Sequence, residues 1–460
     1  MSVSVPDSIF KAYDVRGLYG QDIDGDVAER IGRGFALTIA DISGKKVTDL
    51  RLGLGRDMRL TAPELAGRYA EGMTAEGASV VDAGQVGTEQ LYYLVGSQGL
   101  DGGLMCTASH NPKAYTGAKL VGEGALALSG DSGIQEVRKY AQSDLPTPDP
   151  AVKGSVESLD LATEFRAAAL AFVDASKISR DLKIVVDGGN GQAGTMVGPI
   201  FEELGIGLSE HYWVPNGEFP GHEPNPLLPE NREFIMKKVV EEGADLGIAW
   251  DGDADRCFFI DDLGNFVDGD FLTALLAESL LLKNPGADIL YDARASRAVA
   301  DVVLANGGVP HINRVGHAFF KTRMRAEGGL FGGEVSGHYY FRDFYCADSG
   351  TIPALLILEL LSEKGKKLSE LLAPLRDRYF ISGEINSEVD DADAKIAAIE
   401  AKYADGQLTY VDGVSIDYDD WHFNVRKSNT EPLLRLTLES LVSREDMEAK
   451  RDEVLALIRG

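Results

Sequence analysis

Residues 250–259, W-D-G-D-A-D-R-C-F-F, set carboxylates at Asp251, Asp253 and Asp255, with Gly252 and Ala254 between them and Arg256 directly after. Oxygen-only ligands on a short turn suit a hard cation such as Mg²⁺, and an adjoining guanidinium suits a phosphate that the ion also touches. D-x-D-x-D also opens a calcium-binding EF-hand, but that loop needs Gly at its sixth position and Glu at its twelfth. Those positions hold Arg256 and Asp262, which excludes it. The remaining alternative is a solvated acidic turn after the apolar run 246–250. It is disfavoured because like charges are seldom stacked in alternation without a counter-ion.

Three further loops carry reactive groups. Residues 107–112, T-A-S-H-N-P, place the Ser109 hydroxyl beside the His110 imidazole, with Lys119 a few residues on. Serine carries a covalent intermediate when activated or already phosphorylated. The G-x-S-x-G elbow of esterases is absent, so acyl transfer has little support; a plain turn in which Ser109 and Asn111 bond local backbone stays open. Residues 332–338, G-G-E-V-S-G-H, offer Glu334, Ser336 and His338 on a glycine-rich backbone, groups suited to sugar hydroxyls, against the alternative of a solvated bend. Residues 426–431, R-K-S-N-T-E, gather Arg426, Ser428, Asn429 and Thr430, which suits a phosphate, a basic surface turn being the equal alternative. His317 and the run 11–17 say nothing individually.

These loops need a scaffold, and the chain alternates short apolar strand signals, such as 182–186 and 288–291, with longer helical patterns. That is the α/β signature. A helix is predicted from Thr61, with Thr61 and Glu64 as a capping box, Pro63 in the first turn, Leu65, Tyr69 and Met73 on one face, and Gly77 as its stop. A second is predicted over 271–283, with Leu272, Leu276 and Leu280 on one face. Residues 143–150, with three prolines, read as a linker. Three Gly-flanked apolar runs, 103–106, 247–250 and 329–331, each end at one of the polar loops. Three successive domains of related topology, each lending a loop from a strand end, would explain the recurrence.

At 460 residues the chain is too long for a single core and predicts three or four domains. Its net charge of −28 argues against nucleic acid or an anionic membrane as partner, so a phosphorylated substrate must be attracted locally. Cys106, Cys257 and Cys346 have no C-x-x-C spacing and fit neither a zinc site nor a disulfide framework, which suits a reducing cytoplasm. No signal-peptide pattern opens the chain, and no run of about 18 apolar residues suggests a membrane span.

A serine, a metal loop, a sugar loop and a phosphate loop are complementary parts of one reaction. Through Y-D-V-R-G, T-A-S-H-N-P, D-G-D-A-D-R, G-E-V-S-G-H and R-K-S-N-T-E-P, in that order over residues 13–432, the chain resembles the α-D-phosphohexomutase superfamily, most closely its bacterial phosphomannomutase/phosphoglucomutase group. The resemblance implies three related α/β domains (1–153, 154–264, 265–371) and a smaller C-terminal α+β domain (372–460) around a central cleft. It implies that Ser109 is phosphorylated in the resting enzyme, that Asp251, Asp253 and Asp255 bind Mg²⁺ together with that phosphoserine, and that Arg256 lies against the transferring group or the sugar. His110, Lys119 and His317 would join the catalytic set. Glu334, Ser336 and His338 would contact the sugar, Arg426, Ser428, Asn429 and Thr430 the non-reacting phosphate, and Tyr13, Arg16 and Arg294 would complete the substrate-binding set. Arg294 stands where lysine is expected in many relatives, so hydroxyl preference is expected to differ.

The implied reaction interconverts hexose 1-phosphate and hexose 6-phosphate through a hexose 1,6-bisphosphate, which also serves as primer. Mannose is expected first and glucose second, in a monomer or weak dimer. Phosphoglucosamine mutase and a sugar-phosphate-binding protein without turnover are the alternative readings, with a magnesium-dependent phosphatase third.

Overall fold

The computed structural model describes residues 3–130, 132–428 and 433–460. The chain divides into two compact units, Met1–Phe266 with His338–Gly365, and Val267–Gly337 with Lys366–Gly460.

In the first unit, apolar runs of four to seven residues pair as parallel strands because both of their faces are covered. Arg51–Arg56 pairs in parallel with Ser79–Gln85 on one side and Gly102–Cys106 on the other. Tyr115–Gly122 then returns antiparallel to Gly102–Cys106, and Val15–Leu18 pairs with it. A second sheet repeats the plan. Ile184–Asp187 lies parallel to Leu208–His211 and to Leu246–Trp250, and Cys257–Ile260 returns antiparallel to the latter. All the residues of Ile184–Asp187, Leu246–Trp250 and Cys257–Ile260 are buried. The same unit contains the hairpin of Tyr339–Phe341 with Ala347–Asp348 and the buried helix Thr351–Lys364.

The second unit opens with the same arrangement, Asp288–Asp292 lying parallel to both Val309–Asn313 and Phe331–Gly333. Each of the three repeats therefore sets its third strand directly beside its first. The three polar loops singled out from the sequence each follow that third strand, where α/β sheets present their ligand loops. The C-terminal part is different: an antiparallel sheet from Phe380–Ile381, Ile385–Glu388, Gln407–Thr409, Val414–Asp417, Trp421–Lys427 and Leu433–Ser440. The helices Ala392–Lys402 and Arg444–Arg459 accompany it, and its core includes Ile399, Phe423, Val425, Leu434, Leu436 and Val454. The expected class, three related α/β domains and one α+β domain, is the class observed.

The first predicted helix spans Ala62–Ala75, with Leu65, Tyr69 and Met73 buried, and Gly77 follows it at φ +108. Its capping box does not form. Thr61 already has helical backbone angles, its hydroxyl has no hydrogen-bond partner, and Glu64 instead accepts from the Tyr19 hydroxyl at 2.7 Å. A cap needs extended backbone at the capping residue, and the turn that closes from Ala62 N–H to Arg59 C=O removes it. The second helix runs Gly269–Lys283, two residues longer at its start than predicted. Residues 144–149 have neither helix nor strand. Among the described residues no helix is long and apolar enough to cross a membrane, and all three cysteines are buried and unbridged.

Candidate active site

The Asp loop spans two antiparallel strands, Leu246–Trp250 and Cys257–Ile260, which is not the helix–loop–helix of an EF-hand. Ala254 turns the chain with φ +60. Asp251, Asp253 and Asp255 are buried, and one carboxylate oxygen of each lies within 4.8 Å of the others. Asp255 also groups with His338 and Asp348.

Ser109 comes from the neighbouring sheet and meets this loop directly. Its Oγ lies 3.0 Å from Asp251 Oδ2, to which it donates, and 3.1 Å from His110 Nδ1. Ser109 is itself at φ +50, an uncommon conformation outside glycine whose cost the surroundings must offset. Its N–H donates to Thr107 Oγ1 at 2.8 Å, and the Thr107 hydroxyl donates to Asp57 Oδ2 at 2.7 Å. The two loops touch so closely that a Cβ on Gly252 would lie 2.6 Å from the Ser109 carbonyl oxygen. Only glycine leaves that space.

Fixed positive charges contact residues of both loops. Arg256 pairs with Asp251 Oδ2 at 2.8 Å through Nη2 and also reaches His110 Nδ1. Lys119 Nζ lies 2.7 Å from Asp253 and also pairs with Asp255. Arg16 donates to Asn111 Oδ1 at 2.7 Å and pairs with Asp14. A guanidinium can only donate, so His110 Nδ1 is an acceptor. Burial, then repulsion from Arg256 and Arg16, holds the His110 pKa well below its ordinary value, leaving the ring neutral. Burial pushes the Asp251 and Asp255 carboxyls up, against the pull of Arg256 on the first and Lys119 on the second. For Asp253 the opposing pull of Lys119 and the Thr88 hydroxyl outweighs burial and drives it down. Burial also opposes the Lys119 ammonium, yet Asp253 and Asp255 raise its pKa and keep it charged.

The carboxylate set fits a divalent cation. Its atoms are all hard oxygens, and the buried Oδ1 atoms of Asp253 and Asp255 accept no hydrogen bond.

Of the remaining expected groups, Arg294, His317, Glu334, Ser336, Arg426 and Ser428 belong to the second unit, and Tyr13 and His338 to the first. Glu334 is buried and accepts the Gly316 N–H at 2.8 Å, next to His317 at the start of the helix His317–Glu327. Arg294 grips Asp292 with two prongs, 3.1 Å and 2.6 Å, and lies 3.9 Å from Glu334. Arg426 is buried on the strand Trp421–Lys427 and donates to Glu384 at 2.8 Å; Ser428 Oγ accepts from Arg435 at 3.4 Å. Ser336 and Tyr13 are half-buried, and Asn429 and Thr430 lie outside the described residues.

Four domain families match in order: phosphoglucomutase/phosphomannomutase alpha/beta/alpha domain I over residues 7–145, domain II over 163–264, domain III over 268–379, and the C-terminal domain over 384–457. An Escherichia coli phosphomannomutase is 42% identical over 458 residues, covering 98% of this chain and 99% of that protein. A Xanthomonas campestris pv. campestris protein named for phosphohexose mutases is 42% identical over 453 residues, again covering 98% and 99%. The chain belongs to the phosphoglucomutase/phosphomannomutase family. A crystal structure of a family protein from Burkholderia thailandensis superposes with a TM-score of 0.89 at 34% identity, covering 99% of this chain and 97% of that one. Membership makes this chain a phosphohexomutase, an intramolecular phosphotransferase of the isomerase class, and implies dependence on a metal.

Sequence reasoning missed several residues of this phosphohexomutase that shape the site. Buried Arg59 donates to the carbonyls of Ser109, Asn111, Pro112 and Tyr115 at 2.7 to 3.1 Å, and pairs with Asp57 at 3.2 Å. Thr88 donates to Asp253 Oδ2 at 2.5 Å. Glu384 receives Arg294, Arg426 and Arg435. Asp57 and Arg59 directly follow the parallel strand Arg51–Arg56, a position that draws attention to the loop but not to the bracing role of Arg59.

Proposed function

We propose that this protein interconverts mannose 1-phosphate and mannose 6-phosphate, with glucose phosphates as second substrates, through a phosphoserine at Ser109 and a hexose 1,6-bisphosphate. The observation that carries the reading is the Ser109 hydroxyl, 3.0 Å from Asp251 and hemmed by the buried aspartates, Arg256 and Lys119. The mannose preference is supported by the 42%-identical phosphomannomutase. Mg²⁺ would be held by Asp251, Asp253, Asp255 and the phosphoserine, where it would neutralise phosphoryl oxygens and fix their position. The bisphosphate would serve as primer, rephosphorylating any Ser109 whose phosphoryl group has been lost to hydrolysis.

Phosphoryl transfer is catalysed by positioning and by neutralising spread negative charge. Arg256 is held by Asp251 and keeps a guanidinium beside the serine, and Lys119 adds an ammonium paired with Asp253 and Asp255. Neutral His110 accepts from Arg256 and leaves the Ser109 oxygen without a competing positive charge of its own. Glu334, Ser336 and His338 would take sugar hydroxyls, and Arg426 and Ser428 the phosphate that is not reacting. One distal phosphate site must serve both orientations of the bisphosphate, so the same groups accept either end of the sugar. A cytoplasmic setting is supported by the three unbridged cysteines.

The test is a parallel assay of mannose, glucose and glucosamine 1-phosphates with Mg²⁺ and a trace of bisphosphate. The reading expects the largest kcat/KM for mannose, with glucose next. Glucosamine as the best substrate, or free phosphate released without isomer, would overturn it.

A further inference from the structure

Glu384 has a position that the reaction as described does not use. Its carboxylate receives Arg426 Nη2 at 2.8 Å, Arg294 Nη1 at 3.3 Å and Arg435 Nη1 at 3.4 Å. Burial opposes its charge, but Arg294 and Arg426 hold its pKa below the ordinary glutamate value, so it stays ionised. Arg294 is already neutralised by its two-pronged pair with Asp292. Glu384 is thus the carboxylate that occupies Arg426 and Arg435.

Arg426 retains unspent capacity. It is 5% exposed, and its Nε has no hydrogen-bond partner. A guanidinium grips an anion with two prongs, through Nε and Nη2 or through Nη1 and Nη2. Both grips use Nη2, the nitrogen that Glu384 holds. An arriving phosphate must therefore share that nitrogen with a like-charged carboxylate or replace it.

We propose that Glu384 is a phosphate stand-in: it neutralises and orients the arginines while the site is free, and the non-reacting phosphate of the substrate exchanges with it on Arg426. The arginine cluster is kept compact without a bound anion, and each binding event forfeits part of its gross attraction to displace the carboxylate. Modest retention is what a mutase needs, because its bisphosphate must let go of this site to turn around. Glu384 is a specificity- and affinity-setting residue, not a catalytic one.

The proposal rests on the reading of Arg426 as the phosphate holder, and two variants separate the two ideas. Inorganic phosphate is titrated by calorimetry into the wild-type chain, Arg426→Ala and Glu384→Gln, with melting curves as the check on folding. Arg426→Ala should weaken phosphate about tenfold or more, and Glu384→Gln, which keeps the shape and removes the charge, should tighten it about tenfold, the scale of one charge-assisted hydrogen bond. Unchanged binding in Arg426→Ala means that the phosphate holder lies elsewhere, and both ideas fail. Weakened binding in Arg426→Ala together with equal or weaker binding in Glu384→Gln overturns the stand-in alone and makes Glu384 a scaffold for the arginines. If Glu384→Gln does not fold, Glu384→Asp replaces it: the shorter arm should loosen the carboxylate and tighten phosphate, and weaker phosphate would overturn the proposal.

Discussion

Arg59→Lys is the substitution whose consequence the structure fixes most fully. The Arg59 guanidinium supplies four N–H donors to the carbonyls of Ser109, Asn111, Pro112 and Tyr115, and a fifth to Asp57. The side chain is 1% exposed, so water cannot replace those bonds. Lysine keeps the charge but has one nitrogen, and the four carbonyls approach two nitrogens of the fork, so no more than about two of them stay bonded. Each lost charge-assisted bond to a buried carbonyl costs about 1.5–3 kcal/mol, giving roughly 3–6 kcal/mol for two. At about 2–4 °C per kcal/mol for a domain of this size, the melting midpoint should fall by about 10 °C. The same bonds set the position of Ser109, and a displacement near 1 Å costs on the order of 10²-fold in turnover. The assay pairs calorimetric melting with steady-state kinetics on mannose 1-phosphate, and kcat should drop far more than KM rises. A midpoint within about 2 °C of wild type together with unchanged kcat would refute the idea that Arg59 shapes the serine loop.

Gly252→Ala brings a Cβ to 2.6 Å from the Ser109 carbonyl, so it should push the two loops apart and lower kcat at least about tenfold without unfolding the chain; kinetics beside a melting curve checks this. Thr88→Val removes the hydroxyl on Asp253 and should raise the Mg²⁺ concentration for half-maximal activity about tenfold, which a metal titration measures. Glu89 is buried, accepts from Ser349 and Thr351, and has its pKa raised by burial from 4.5 to about 8. The folded state therefore binds a proton that the unfolded state has released. The stability held through Glu89 is complete below about pH 4.5 and is lost as pH rises towards 8. Melting midpoints should fall more steeply over that window in wild type than in Glu89→Gln; parallel slopes would remove the assignment.

The parts legible in the sequence were those written contiguously. Asp251, Asp253, Asp255 and Arg256 sit within one turn, so residue type and spacing alone proposed a cation site beside a phosphate; Ser109 and His110 are neighbours, but their role came from the family resemblance. The strand–loop recurrence was legible because parallel strands buried on both faces read as unbroken apolar runs. Arg59 was not legible: the carbonyls it braces lie about 50 residues away, and nothing local distinguishes such a guanidinium from one in solvent. Thr88 meets Asp253 across 165 residues, and Glu384 meets Arg294 across 90. Such pairs exist only once the sheets are assembled. The Thr61–Glu64 pattern failed for the opposite reason, since a correct local signature was overridden by a turn that began at Arg59.

The central claim is that Ser109 carries the phosphoryl group, and peptide mass mapping after brief incubation with glucose 1,6-bisphosphate and Mg²⁺ tests it most directly. The account predicts one phosphate per chain, located on the peptide containing Ser109, removed on adding excess hexose monophosphate and absent from Ser109→Ala. Undiminished mutase turnover in Ser109→Ala, or a phosphate mapped to any other residue, would contradict it.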